Sequence, residues 1–296
     1  MDRSFAKDFE QKLRKIWYKM SPPDPARRYQ RRLNKELSRV TQAFMGSDKI
    51  VLTHTYGKVG STAVHKTINK QPGYQSFQTH VISEKGVAES RHSNLEVPEV
   101  IHLLVGEALR HALERYPDRQ VRIITLVRDP VARAVSDLFE NPERFVADGK
   151  ISGVPLEKLV AIVARNALQS IEFPENWFNR ELSAIVGFDF FSRDFDRMNG
   201  FELYQEGRIE LLAGKLERLS DNGAGYLGRF LDIGGDFPVS KMRARSATAE
   251  GLLYEEVRKN LKLPAEALDK VYSGRVCKHF YSEVELDRFR NRWIES

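Results

Sequence analysis

A short segment, THTYGKVGSTAVHK (residues 53–66), contains the side chains and glycines that an oxyanion-binding loop requires. Lys58 supplies a positive charge, Gly60 lets the backbone approach a ligand closely, and Ser61 and Thr62 supply hydroxyl donors. An apolar run precedes the segment and a helical pattern follows it. Because a helix N-terminus presents unpaired N–H groups and the positive end of its dipole, this arrangement favours an anion.

The order of these residues differs from that of the nucleotide-binding loop in kinases and GTPases. That loop has a glycine five residues before a Gly-Lys-Ser/Thr triplet. Here Val59 follows Gly57 and Lys58, and Leu52 occupies the position of the first glycine. The segment is therefore interpreted as an anion loop of a different kind, and a tight turn with a solvated lysine is the alternative.

A second segment, LVRDPVARAVSDLF (126–139), begins where a continuous β-branched run ends. Ligands of open α/β sheets bind at the carboxyl ends of the strands, and P-loop enzymes place a magnesium-binding Asp there. This chain has Arg128 instead, followed by a helix start at Asp129 and Pro130, with Ser136 about two turns further on. An arginine fork and a hydroxyl suit a phosphate or sulfate, whereas pairing of Arg128 with a carboxylate is the alternative.

Together, the two segments resemble the sulfotransferase family. TYGKVGST (55–62) is similar to its 5′-phosphosulfate loop, whose usual form is Tyr-Pro-Lys-Ser-Gly-Thr-Thr. RDPVARAVS (128–136) is similar to its 3′-phosphate motif, in which an Arg and a Ser stand eight residues apart. The likeness covers most of 49–296. The segments ENWFNRELSAIVGFDFF (175–191) and VCKHFYSEVELDRFRNRW (276–293) resemble the carbohydrate-type, bacterial capsular-polysaccharide-associated branch.

The resemblance implies a three-layer, P-loop-like α/β fold in which a central, mainly parallel sheet is flanked by helices. It also implies transfer of a sulfuryl group from 3′-phosphoadenosine-5′-phosphosulfate (PAPS) to a hydroxyl or amine of a carbohydrate-like or small-molecule acceptor. The product would be 3′,5′-ADP, and no metal is expected. By this resemblance Lys58 is catalytic, and seven residues bind the donor: Lys58, Val59, Gly60, Ser61, Thr62, Arg128 and Ser136.

The chain departs from the pattern of the cytosolic small-molecule enzymes at two points. Gly57 replaces the proline of the loop, and no clean Arg-Lys-Gly motif occurs near the C-terminus. The segment KMRARS offers Lys241, Arg243 and Arg245 as substitute cations near the donor or the acceptor. A solvated basic turn is the alternative interpretation of that segment.

A hydroxyl acceptor also needs a general base, and a histidine is the usual choice because its pKa lies near neutrality. His80, in FQTHVIS, is the predicted base, since its Thr-His pair resembles the family's Lys-Thr-His segment. A structural histidine bonded to a backbone group is the alternative for this position. His54 and Glu84 are the other candidate bases, the latter because some carbohydrate sulfotransferases use a carboxylate.

From residue 49 onward, strand patterns alternate with helical patterns, which predicts a parallel sheet covered on both faces. Strands are predicted at 49–56, 74–83, 121–128 and 188–191, with a hairpin over 201–214 that turns at Glu206 and Gly207. Helices are predicted at 98–115, from Pro130 onward, and at 174–186, 247–261, 264–272 and 283–293. Trp177 and Phe178 lie at helical spacing with Leu182, so they are expected in the core rather than in a sugar-stacking surface. The simplest organisation is a basic helical extension at 1–48 followed by one α/β domain at 49–296.

The positive charge of the chain is concentrated in its first segment. Residues 1–45 hold twelve Lys/Arg against five Asp/Glu, a balance of +7, whereas the whole chain carries +6. One interpretation is a helix that contacts an anionic membrane surface or an acidic protein. The favoured alternative is an amphipathic appendage packed on the main domain. No nucleic-acid partner is predicted, because no recognised motif accompanies the charge.

Cysteine content and hydropathy predict a cytoplasmic protein. The single Cys277 excludes an intramolecular disulfide and a multi-cysteine metal site. No run reaches the eighteen or so apolar residues of a membrane span, and the N-terminal residues lack the apolar core of a signal peptide. The basic N-terminal segment is the candidate for peripheral contact with the inner membrane surface.

Two other functions are compatible with these motifs. An atypical P-loop kinase is disfavoured by the imperfect nucleotide loop and the missing Asp after the strand. A catalytically inactive protein of the sulfotransferase fold would bind a 3′-phosphorylated nucleotide or a partner and assist polysaccharide biosynthesis. Stabilisation by 3′,5′-ADP, compared with Mg-ATP and Mg-GTP, would separate a kinase from the other two.

Overall fold

The computed structural model describes residues 24–92, 101–235, 237 and 248–295. Five strands form one sheet in these ranges, in the spatial order β2-β1-β3-β5-β4. β1, β2, β3 and β5 are parallel, and β4 pairs antiparallel with β5 at one edge. The strands are β1 Lys49–His54, β2 Tyr74–Thr79, β3 Val121–Val127, β4 Phe201–Glu206 and β5 Ile209–Lys215.

Helices flank this mostly parallel sheet, so the predicted three-layer α/β class is confirmed. The helices before β4 are α1 Pro25–Met45, α2 Ser61–Ile68, α3 Glu84–His92, α4 Ile101–Arg115, α5 Pro130–Glu140, α6 Leu156–Gln169, α7 Phe173–Trp177 and α8 Ser183–Val186. A π-helical turn, Phe178–Leu182, joins α7 to α8. The later helices are α9 Gly223–Phe230, α10 Ala249–Asn260, α11 Ala265–Tyr272, α12 Arg275–Phe280 and α13 Glu283–Trp293.

The central strands are apolar because they are buried on both faces. In β3, Ile123, Ile124, Leu126 and Val127 have no exposed surface. Such continuous runs are typical of parallel strands covered by helices. The three predictions of central strands are confirmed, although β2 ends at Thr79 rather than at residue 83.

The predicted start of α5 is also confirmed. The Asp129 carboxylate accepts a hydrogen bond from the N–H of Val131, and Pro130 occupies the first turn. Aspartate is a preferred N-cap, and proline tolerates the first helical position because that N–H has no intrahelical partner. This sharp transition from strand to helix fixes the direction in which the chain leaves β3.

The strand predicted at residues 188–191 is wrong. This stretch contains a 3₁₀ turn, Phe190–Ser192, capped by the side chain of Asp189, which accepts the N–H of Phe191. Phe190 is fully buried and stacks on Phe280, with ring centroids 5.6 Å apart. The apolar residues therefore fill an aromatic cluster instead of a sheet. The hairpin of β4 and β5 and the predicted helices are confirmed, whereas α3, α6, α9 and α12 were not predicted.

α1 packs on the α/β body through its apolar side. Leu33, Val40, Ala43 and Phe44 are buried, and the helix contacts α4 and β1. The packed-appendage interpretation therefore describes residues 25–45, while residues 1–23 lie outside the described ranges. Contact of the basic residues with a membrane or a partner stays a prediction, as does the boundary at residue 48. Within the described ranges, every helix is too short or too polar to cross a bilayer.

Candidate anion-binding site at the carboxyl edge of the sheet

The order of the strands creates a crevice between β1 and β3. The chain passes from β1 to β2 on one side and then crosses to β3 on the other side of β1. In open α/β sheets, ligands bind outside the carboxyl ends of the strands at such a reversal of direction. The loop after β1 and the residues after β3 are the two segments that border this crevice.

The loop after β1 turns sharply before it enters α2. Gly60 is the N-cap residue of α2 and has a φ of +82°. Lys58 also lies in the left-handed region, with a φ of +73°. For a residue with a side chain this conformation costs about 1–2 kcal/mol. Other contacts must therefore hold the backbone of Lys58 in place.

Two hydroxyl groups of the loop are fixed by one amide that the sequence did not single out. The Nε2 group of Gln78, on β2, donates to Ser61 Oγ at 3.0 Å and to Thr62 Oγ1 at 3.1 Å. Since both hydroxyls accept from Gln78, each retains its own hydrogen to donate. In the first turn of α2, the N–H of Ala63 donates to the carbonyl of Gly60 at 3.1 Å, whereas the N–H groups before it have no carbonyl one turn earlier within the helix. The loop can thus present several donors to one anion.

Arg128 joins the two sequence motifs. Its Nη1 group donates to Ser136 Oγ at 2.7 Å and to the carbonyl of Lys58 at 3.2 Å. The first contact places the predicted Arg–Ser pair within direct hydrogen-bonding distance. The second contact links that pair to the strained turn of the anion loop. The segments predicted to bind the two ends of one ligand therefore lie against each other.

Tyr254, on α10, completes this group and was not predicted. Its hydroxyl lies 3.5 Å from Arg128 Nη2 and 3.3 Å from Ser136 Oγ. Tyr254 is separated from both residues by more than a hundred positions in the sequence. Only the packing of α10 against α5 brings it to the site, and no local motif signals such a contact.

Asp129, directly after Arg128, has a structural role. Its carboxylate is buried and accepts hydrogen bonds from the Tyr272 hydroxyl and the Trp293 indole, both at 2.9 Å. Its N–H donates to Glu217 at 2.8 Å. Burial raises the pKa of Asp129, an effect opposed by the bonds from Trp293 and Tyr272. These contacts attach the C-terminal helices to the end of β3 and hold Arg128 in position.

The ammonium group of Lys58 points to a carboxylate from α5. Lys58 Nζ lies 3.0 Å from Glu140 Oε2. Glu140 is the last residue of α5, where the negative end of the helix dipole disfavours a carboxylate. The pair with Lys58 offsets this cost. Glu140 was not predicted, because 82 residues separate it from Lys58.

His80 lies at the carboxyl end of β2, where it was expected. Its Nδ1–H donates to the carbonyl of Thr55 at 2.5 Å, and its own carbonyl accepts from the Trp177 indole at 2.6 Å. With Nδ1 protonated, Nε2 is the nitrogen that can accept a proton. Burial lowers the pKa of His80, and the charge of Lys58 lowers it further. The ring is therefore neutral at neutral pH, as a general base requires.

The segment after His80 is held by a buried carboxylate. Glu181, in the π-helical turn, has no exposed surface and accepts hydrogen bonds from the N–H groups of Ile82 and Ser83 at 2.8 and 2.9 Å. Trp177 and Phe178 are buried as well, which confirms their assignment to the core. The helix that contains these residues therefore orients the backbone around His80.

The two other candidate bases lie elsewhere. His54 is fully buried in β1 beside Trp177, and burial lowers its pKa to about 4. Glu84 begins α3 and lines a separate cavity of about 270 Å³ together with Arg110, Arg208 and other residues. That cavity is also lined by Ile209, at the start of β5. The structure therefore brings neither residue together with Lys58.

Lys215 is another cation at the carboxyl edge of the sheet, and the sequence analysis predicted three substitute cations in the segment KMRARS. Lys215, at the carboxyl end of β5, is fully buried and pairs with Glu285 at 2.7 Å, so its charge is already compensated. Lys241, Arg243 and Arg245 lie outside the described residues.

Val59 was predicted to bind the donor, but its side chain is fully buried. Contact between Val59 and the donor therefore stays a prediction.

The comparisons with known proteins concern the C-terminal half of the chain. Residues 154–282 match a family model, NKWYS, with the description "Putative capsular polysaccharide synthesis protein". The match covers less than half of the chain and lies after Lys58, Arg128 and Ser136, but it includes Trp177, Glu181 and Tyr254. No curated protein and no solved structure matches the chain. The match supports the resemblance to the capsular-polysaccharide-associated branch, and it does not identify a sulfuryl donor.

Proposed function

We propose that this protein is a sulfotransferase that transfers a sulfuryl group from PAPS to a hydroxyl or amine of a carbohydrate-like acceptor in polysaccharide biosynthesis. The observation that carries the proposal is the position of Arg128. Its guanidinium contacts Ser136 Oγ at 2.7 Å and the carbonyl of Lys58 at 3.2 Å. One cluster therefore contains the residues that resemble a 3′-phosphate motif and a 5′-phosphosulfate loop. The description of the family match supports the polysaccharide context.

Sulfuryl transfer requires stabilisation of negative charge on the oxygen that leaves the sulfur. Lys58 and the N–H groups at the start of α2 provide positive charge and donors for this purpose, as in phosphoryl transfer. The hydroxyls of Ser61 and Thr62, which are oriented by Gln78, can bind further oxygens of the same group. His80 Nε2 would accept the proton of the attacking hydroxyl, because Nδ1 is bonded to Thr55.

A kinase that uses Mg-ATP is less compatible with this arrangement. Such an enzyme would need a carboxylate after β3 to bind the metal. The carboxylate at that place belongs to Asp129, and both of its oxygens accept buried hydrogen bonds from Tyr272 and Trp293. Asp129 therefore supports the fold, and Arg128 is the residue proposed to bind an anion.

Thermal stability with added nucleotides tests the proposal. We expect 3′,5′-ADP without metal to raise Tm, since a ligand at a hundred times its Kd adds about 2.7 kcal/mol of stability. An Arg128→Lys variant should lose most of this effect, because lysine lacks the planar fork, whereas Arg165→Lys, on the exposed side of α6, should retain it. Stabilisation by Mg-ATP but not by 3′,5′-ADP would contradict the proposal. Labelled PAPS and carbohydrate acceptors then test transfer, and donor binding without transfer would favour the inactive alternative.

A further inference from the structure

Arg133, on α5, is a buried arginine that forms no ion pair with a carboxylate of the described residues. Only 5% of its surface is exposed. Its Nη2 group donates to Ser170 Oγ at 2.8 Å, and within the described ranges its Nε–H is buried without an acceptor. By contrast, the buried Lys215 pairs directly with Glu285 at 2.7 Å. Since a guanidinium has five N–H donors, most of the capacity of Arg133 is not used by the protein.

Neighbouring groups compensate little of this charge. Asp137 lies one turn further along α5, but its carboxylate already pairs with Arg144 at 3.0 Å. Burial lowers the pKa of Arg133, and the positive charge of Arg128 lowers it further. The ring of Phe173 lies 5.4 Å from the guanidinium carbon, and such a cation–π contact offsets only part of the cost of burial. Because a buried charge without a partner is costly, an anion beside Arg133 would stabilise the fold.

Arg133 lines a small cavity next to the base of the anion loop. The cavity has a volume of about 10 Å³, and its wall includes Tyr56, Arg128, Ser170 and Tyr281 but no carboxylate of the described residues. Ser170 Oγ accepts from Arg133, and the Tyr56 hydroxyl accepts from the N–H of Arg128 at 3.4 Å, so both hydroxyls retain a hydrogen to donate. The cavity has room for about one guest of the size of a water molecule, which is too little for a whole phosphate or sulfate.

We infer that this cavity binds one chloride ion, with the guanidinium of Arg133 and the hydroxyls of Ser170 and Tyr56 as its ligands. A monatomic anion suits the small volume, and it accepts hydrogen bonds from N–H and O–H groups at once. A water molecule of similar size would accept such bonds without compensating the buried charge. Tyr56 directly precedes Gly57, so the ion would also support the start of the anion loop. The inference does not depend on the proposed function.

Crystallography of the wild-type protein in sodium chloride tests the site directly. Diffraction at a long X-ray wavelength distinguishes chloride from water, because chlorine scatters anomalously and oxygen does not. We expect an anomalous peak within hydrogen-bonding distance of the Arg133 guanidinium. The sulfur atom of Cys277, which also lines the cavity, provides an internal reference peak. A water molecule without anomalous signal beside Arg133, or chloride bound only at other positions, would overturn the inference.

Thermal unfolding at constant ionic strength tests the contribution of Arg133. Replacement of sodium gluconate by sodium chloride should raise the Tm of the wild-type protein by roughly 2–5 °C, the shift that a ligand at about ten times its Kd gives a protein of this size. Arg133→Met lacks the charge and should lose this response, whereas Arg165→Met, on the exposed side of α6, should retain it. An equal response of the wild-type protein and Arg133→Met would contradict the inference. If Arg133→Met does not fold, the crystallographic result on the wild-type protein decides the question.

Discussion

Lys58 is the residue on which the proposed chemistry depends most directly. Its backbone has a φ of +73° and its ammonium group lies 3.0 Å from Glu140. The turn directs the side chain toward the carboxyl edge of the sheet, and Glu140 compensates its charge there. An anion that enters the loop must compete with this carboxylate for the ammonium group.

Replacement of Lys58 should abolish most of the turnover. We expect Lys58→Ala to reduce the rate of sulfuryl transfer by about 10²–10³, which is the usual effect of losing one preorganised donor. Transfer of label from PAPS to an acceptor measures the rate. Lys66→Ala, which removes an exposed lysine from α2, should retain wild-type activity. Near-normal turnover of Lys58→Ala would exclude Lys58 from the mechanism.

Glu140 should weaken the binding of an anionic ligand, because its carboxylate competes with the ligand for the ammonium group of Lys58. We expect Glu140→Gln to bind 3′,5′-ADP roughly twofold to fivefold more tightly, in line with the strength of a partly exposed ion pair. Calorimetry gives the Kd, and Glu143→Gln, in the exposed turn after α5, is the matched control. Weaker binding by Glu140→Gln would instead mean that the ion pair holds the loop in its binding conformation.

At the scale of single residues, the sequence predicted contacts that are close along the chain. The pairing of Arg128 with Ser136 follows from an eight-residue spacing at the start of a helix, and the structure has this contact at 2.7 Å. Gln78, Glu140 and Tyr254 were not predicted, because each reaches the site through tertiary packing over a long sequence separation. The left-handed conformation of Lys58 had no signal either, since lysine is not a residue that favours it.

Among the secondary-structure elements, α4 packs closely against the backbone next to His80. Gly106 lies where α4 crosses the chain after β2, and a Cβ atom added there would be 2.1 Å from the carbonyl oxygen of Val81. It would also be 3.3 Å from Thr79 Oγ1. A side chain at this position would therefore push the segment that contains His80 away from the helix.

Gly106→Ala tests this close contact. In an open helical position the change would stabilise the protein by about 1 kcal/mol, because alanine is a better helix former. Here we expect a loss of about 1–3 kcal/mol, which is typical of overpacking. Urea denaturation measures the free energy of unfolding, and Gly234→Ala, which meets no neighbouring atom, is the control. A stabilised Gly106→Ala protein would show that the chain after β2 moves without cost.

The elements differ in how well the sequence predicts them. The central strands are continuous apolar runs, and α5 begins with an Asp-Pro pair, so both are strong local signals. Residues 188–191 are equally apolar, but their phenylalanines pack into an aromatic cluster around Phe280 and form a turn. Apolar content alone does not distinguish these two cases, because burial in a sheet and burial in a cluster require the same residues.

For the whole molecule, buried histidines predict a loss of stability in mild acid. Burial lowers the pKa of His54 from 6.5 to about 4. The folded protein therefore binds a proton at His54 more weakly than the unfolded chain. Stability falls as the pH drops below about 6.5 and continues to fall until the pH reaches the folded-state pKa. Burial lowers the pKa of His65 to about 4 as well, so the two residues act in the same direction.

The contribution of His54 can be measured by urea denaturation between pH 7 and pH 5. We expect His54 to account for about 2 kcal/mol of the loss over this range, as proton linkage requires. His54→Asn keeps a donor for the carbonyl of Thr79 and should flatten the pH dependence by this amount. His111→Asn, at an exposed position on α4, should not change it. An unchanged slope in His54→Asn would mean that His54 is not protonated during unfolding in this range.

The sheet order also limits which fragments of this chain can fold on their own. The segment matched by the family model, residues 154–282, contains β4 and β5 but none of the three strands on the other side of β5. In the intact protein, β5 pairs with β3 along its whole length, from Ile209 to Lys215. A fragment limited to the matched segment would expose the edge of β5 that normally pairs with β3. The unpaired N–H and C=O groups of that edge could then form hydrogen bonds with another molecule. Expressed alone, it would aggregate rather than behave as a module.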